Sequence, residues 1–149
     1  LIPIVKSGWI YVQSLYENEQ DSHAALRLAQ FWVAIIENDR SEIQSTMQWL
    51  LKNVDNDRFT FRFGIAYAAL GDLDAAIRHH ERAAQSNWGD ANPFDPSWFC
   101  TKYVEALIAR GRPEDIERAR ELVHIHKPIT EKLGMVPIVV RYEELESLI

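Results

Sequence analysis

Between residues 59 and 88, apolar and small residues recur at three- and four-residue spacing, break once at Gly71-Asp72, and then resume. The pattern predicts two short helices joined by a tight turn. Phe63-Gly64 and Ala66-Tyr67 lie on the first helix, and Ala76-Ile77, His80 and Ala83 lie on the second. Packing dictates these sizes. Gly64 lets the second helix come close, Ala76 and Ala83 leave room for Tyr67 and Phe63, and Gly71 takes up the left-handed backbone of the turn.

Helical periodicity continues along the rest of the chain, and strand-type alternation is scarce and short, so an all-α chain of about eight helices is expected. Helices are predicted over 4–17, over 22–37 with Ser22 as its cap, and over 41–53 with Glu42 in the first turn. The polar string Asp55-Asn56-Asp57 separates this half from the clear pair at 58–88. Residues 89–96, with Gly89, Pro93 and Pro96, interrupt both periodicities and read as a loop. A second pair follows over 97–134, with Gly111 at its turn and Pro113 near the first position of the next helix, and a closing helix is predicted within 137–149. Pro128 removes a backbone donor inside a predicted helix and should kink it. Residues 1–54 carry the least regular helices, and 1–149 reads as one α-helical repeat domain.

The unit at 58–88 resembles a tetratricopeptide repeat. From Asn38-Asp39 to Gly71-Asp72 is 33 residues, close to the family period of about 34. From Gly71 to Gly111 is 40, and the Pro-containing loop holds the surplus. Around Asn38 the small-residue positions are filled by Phe31, Ile43 and Leu50. Around Gly111 the residues Ala106, Leu107 and Ala119 fit, Val104 stands where a small residue is usual, and Pro113-Glu114-Asp115 lengthen the turn. The resemblance implies a right-handed superhelical stack of antiparallel helix pairs. Ala109-Arg110-Gly111, then 118–122, then Leu133-Gly134-Met135 resemble the tail of helical-repeat regions in large bacterial signalling chains. There an ATPase module of the STAND type is joined to a DNA-binding or nucleotide-cyclase domain. His124, His126 and Pro128 depart from that pattern.

At 149 residues and 47% hydrophobic, the chain can bury one core, and its net charge of -6 argues against a nucleic-acid or anionic-membrane partner. A single cysteine, Cys100, in a helical pattern reads as a buried thiol and fits a reducing, cytoplasmic location. No apolar run approaches the roughly 18 residues of a membrane span. The start LIPIVKSGW lacks a secretory signal and does not begin with Met, so a piece of a longer protein is expected.

Catalytic and metal chemistry find no footing in the sequence, so no enzyme activity and no cofactor are expected. His79-His80 and His124-x-His126 have spacings that point ligands in different directions on a helix, and His80 sits at a helix-packing position. Phosphate-binding glycine loops, nucleophile elbows and zinc-protease motifs are missing from the chain. Glu114-Asp115 and Glu143-Glu144 read as helix starts and solvated faces. Trp9, Trp32 and Trp49 fall on apolar faces and read as core.

In stacked pairs the first helix of each lines the concave side. That face is predicted to carry Arg58, Phe61, Arg62, Ile65 and Ala69 in the clear repeat, then Trp98, Thr101, Lys102, Glu105 and Ile108 in the next. Arg62 and Lys102 each precede their turn glycine by nine residues. Two cations with aromatics suit an acidic or C-terminal peptide segment. Trp88 and Phe94 in the loop form a second candidate surface. The expected function is therefore a scaffold that binds a protein, a peptide or another domain of its parent chain. The alternative is an effector-sensing module that controls an attached ATPase, cyclase or DNA-binding domain. Self-association as a homodimer is consistent with the apolar LIPIV start.

Overall fold

A computed structural model describes residues 19–53, 60–86 and 95–149, and among the described residues there are seven helices and no strand. They are α1 (Glu19–Glu37), α2 (Arg40–Asn53), α3 (Thr60–Leu70), α4 (Leu73–Gln85), α5 (Asp95–Arg110), α6 (Pro113–Lys132) and α7 (Val136–Glu146). The described residues are all-α, and the helix expected at 4–17 lies outside them. Ser22 is not the cap of α1, which begins three residues earlier, whereas α6 runs as expected from Pro113 through Pro128, to Lys132. Pro128 sits on an exposed side of α6, where solvent reaches the carbonyl that lacks its donor.

The helix ends share one grammar. Asn38, Gly71 and Gly134 all have left-handed backbones, with φ of 56°, 86° and 70°. Each donates to a carbonyl three residues back, and the next residue donates to one five residues back: Asp39 to Ala34, Asp72 to Tyr67, and Met135 to Thr130. This paired closure satisfies carbonyls that a helix end would otherwise leave open. Gly111, at φ 71°, closes α5 with a single bond to Leu107. Capping follows at once: the Asp39 carboxylate accepts from Glu42 N at 3.0 Å, and the Asp72 carboxylate from Ala75 N at 2.9 Å. A break of two residues leaves the chain no course but to fold each helix back on its predecessor.

The chain divides into two compact units between Asn56 and Asp57, inside the polar string noted in the sequence. In the first, α2 turns Ile43, Thr46, Met47 and Leu50 inward, a stripe at helical spacing that packs with Phe31 and Ala34 of α1. Fully burying Ile43 or Leu50 stabilises by about 1.5–3 kcal/mol each. Trp32 and Trp49, expected as core, are only half-buried. Trp49 is covered from α1 by the stacked ring of His23 and by the Arg27 guanidinium, 5.7 Å from its centroid. Trp9 lies outside the described residues.

In the second unit each helix packs on the next, and α3, α5 and α7 also touch in succession. Its core is Phe63 and Ala66 of α3, Ala76, His80 and Ala83 of α4, Cys100, Tyr103, Val104 and Leu107 of α5, Ala119, Leu122 and Val123 of α6, and Tyr142 and Leu145 of α7. The Thr60 hydroxyl lies 2.9 Å from His79 Nδ1, and Tyr67 stacks on the same imidazole, so α3 and α4 are tied along their length. Tyr142 donates to the Ser97 carbonyl at 2.8 Å and fixes α7 against α5.

Candidate interaction surface

The α3–α5 seam is built on two phenyl rings. Phe61 and Phe99 stack with centroids 3.5 Å apart, the Arg62 guanidinium lies 4.3 Å over the Phe61 ring, and Trp98 meets Phe99 edge-on. One turn further along α5, Lys102 pairs with Glu105 at 2.9 Å. Arg141 of α7 reaches back to the same Glu105 at 3.0 Å and to Glu144 at 2.6 Å. Two groups of contacts therefore bridge these helices: Arg62, Phe61, Phe99 and Trp98 between α3 and α5, and Lys102, Glu105 and Arg141 between α5 and α7.

Burial divides the residues that the sequence assigned to this face. Arg62, Trp98, Lys102 and Glu105 are half-buried and present side chains at the surface. Phe61, Ile65 and Thr101 are buried. Phe61 is spent on the seam with Phe99, and the Thr101 hydroxyl donates to the Trp98 carbonyl, so these three pack rather than line an open surface. Arg58, Trp88 and Phe94 lie outside the described residues. Arg141 is the addition that sequence reasoning missed. Its place one helix further on, facing Glu105, needed knowledge of which helices touch.

A second ionic cluster, on the turns, was also missed. Asp115 is 2% exposed rather than solvated, and takes both Nε and a terminal nitrogen of Arg110 at 2.8 and 2.6 Å. Its carboxylate also accepts from Arg112 N at 3.2 Å, which caps α6. Arg110 reaches Asp74 of α4 at 2.6 Å, so the α3–α4 turn is pinned to the α5–α6 turn. Hydrogen bonding from Arg110 holds the carboxyls of both Asp115 and Asp74 below the usual carboxylate range. The one signal available in the sequence was the acid at the third position of α6, where a capping box places one.

Burial pushes the Cys100 thiol up to about 12, which leaves it protonated and inert. No group of three or more His, Cys, Asp or Glu side chains among the described residues could hold a metal ion, and no described helix is long and apolar enough to cross a membrane. A cleft of about 540 Å³ lies on α6 and the end of α7, lined by Arg120, Glu121, Val123, His124, Glu146 and Ile149. Comparison of the chain with protein-family models, curated proteins and solved structures finds no match.

Proposed function

We propose that the unit after Asn56 is a tetratricopeptide-like stack that binds an acidic polypeptide segment, or another domain of its parent chain, on the face shared by α3, α5 and α7. The reading is that of a cytoplasmic, non-catalytic scaffold. The observation that carries it is the placing of Arg62, Trp98, Lys102 and Arg141 on three helices that touch in succession. Two helix pairs with turn glycines 40 residues apart, followed by a seventh helix that docks on α5 as α5 docks on α3, support the repeat reading. Because the helices brace one another, the surface is preformed and little ordering entropy is lost when a segment docks.

Glu105 sets the strength of that surface. It holds Lys102 and Arg141 with one carboxylate, and an incoming acidic side chain competes for the same two cations. Binding is thus expected to be moderate and salt-sensitive. Charge reversal at Arg62 and Lys102, with helicity checked by circular dichroism, tests the assignment. Loss of acidic-peptide binding by the folded variant is the expected result, and retained binding refutes it.

The effector-sensing alternative has one observation in its favour, the cleft on α6, whose lining brings Arg120 and His124 together with Glu121 and Glu146. A small zwitterionic effector would suit those charges, and its binding would act on an attached ATPase, cyclase or DNA-binding domain through α6 and α7. Its mark would be ligand binding abolished by Arg120→Glu and untouched by Lys102→Glu.

A further inference from the structure

His80 is the polar side chain most at odds with its surroundings. It is 1% exposed at the meeting of α3, α4 and α5, and among the described residues neither ring nitrogen has a hydrogen-bond partner. One side of the ring lies against Gly64 of α3, and Tyr103 of α5 stacks on the imidazole at 5.6 Å. The charged and titratable neighbours offer an imidazolium no support. Lys102 of α5 and His79 of α4 both oppose a positive charge there. The Tyr103 hydroxyl is engaged with Arg118 of α6, and Glu81 of α4 acts on Tyr103.

A neutral imidazole leaves one donor and one acceptor unmet in this site, whereas an imidazolium would leave two donors and a charge unmet. We propose that His80 makes the junction of α3, α4 and α5 an acid-sensitive joint, closed while the ring is neutral and opened when it takes up a proton. The opened joint exposes the ring to water and frees α5, the helix that carries Trp98 and Lys102. The inference does not depend on what that surface binds.

Burial depresses the His80 pKa to about 3, with His79 and Lys102 adding to the effect. The unfolded ring takes a proton near 6.5, so the stability that neutral His80 contributes is present above that pH and is withdrawn as pH falls from there toward about 3. Opening of the joint should rise on the order of 20-fold between pH 7 and pH 5.

Amide exchange across α3, α4 and α5, corrected for the intrinsic rate, is followed from pH 7 to pH 5 in the wild-type chain and in His80→Phe. The proposal expects the rise in wild type and the loss of most of it in the variant. An equal rise in both overturns it. The wild-type imidazole is titrated in parallel by proton resonance, which decides the matter even where the bulkier ring beside Gly64 prevents the variant from folding. A ring that stays neutral in the folded protein down to pH 5 supports the joint, and one that titrates near 6.5 without a change in exchange overturns it.

Discussion

Gly64 and His80 are fitted to each other: a Cβ built on Gly64 would stand 2.8 Å from the imidazole of His80. No rearrangement of a flexible chain end can relieve that contact, since the ring is buried and stacked on Tyr103. Gly64→Ala is therefore expected to destabilise by about 1–3 kcal/mol despite the better helix propensity of alanine. Urea denaturation measures it. In a double-mutant cycle His80→Ala should remove most of the cost, because the alanine at 64 then has room.

Gly71 is a glycine for the opposite reason. Its α carbon faces open space, yet its φ is 86°, so Gly71→Ala carries a purely conformational cost of about 1–2 kcal/mol. Asn38 holds the same kind of turn at φ 56° with a side chain that pays a small part of that cost, and Asn38→Gly should be neutral or raise stability by up to about 1 kcal/mol. Thermal melts of the two variants should shift in opposite directions or not at all for Asn38→Gly.

Asp115 caps α6 and binds Arg110, so Asp115→Asn should destabilise by about 2 kcal/mol at pH 7. The pH dependence has a definite sign. The folded carboxyl is held below its unfolded value by Arg110, so its contribution is present above about pH 4 and is lost as pH falls through the lower folded value. Melting curves between pH 7 and pH 2.5 should show the variant losing less on acidification than the wild type.

Phe99 carries the α3–α5 seam with Phe61, and both rings are buried. Phe99→Ala should cost about 3–5 kcal/mol. Equilibrium unfolding followed by tryptophan fluorescence reports it through Trp98, which meets the Phe99 ring.

The parts of the fold legible in the sequence are those that local chemistry decides. Gly71 and Gly111 mark turns because a residue without a Cβ takes those angles with least strain, and the apolar spacing of α4 places Ala76, Ile77, His80 and Ala83 inward. The parts that were not legible depend on contacts between distant residues. Arg110 and Asp74 meet across 36 positions, and nothing near either one announces the pair. Phe61, Ile65 and Thr101 were assigned to an open face because a helical wheel shows which residues share a side, not how many sides are covered. A helix flanked by its own partner and by the next pair buries more than one of its sides, which is why Phe61, Ile65 and Thr101 are covered while Arg62, Trp98, Lys102 and Glu105 keep part of their surface.

The most direct test of the binding surface is fluorescence anisotropy of a labelled acidic twelve-residue peptide against wild type, Arg62→Glu/Lys102→Glu and Glu105→Gln, at low and physiological salt. The cations on this face predict measurable binding that weakens with salt, at least ten-fold loss in the double variant, and tighter binding once Glu105 no longer occupies Lys102 and Arg141. Equal affinity in all three, or no binding by any, would contradict the assignment of this face.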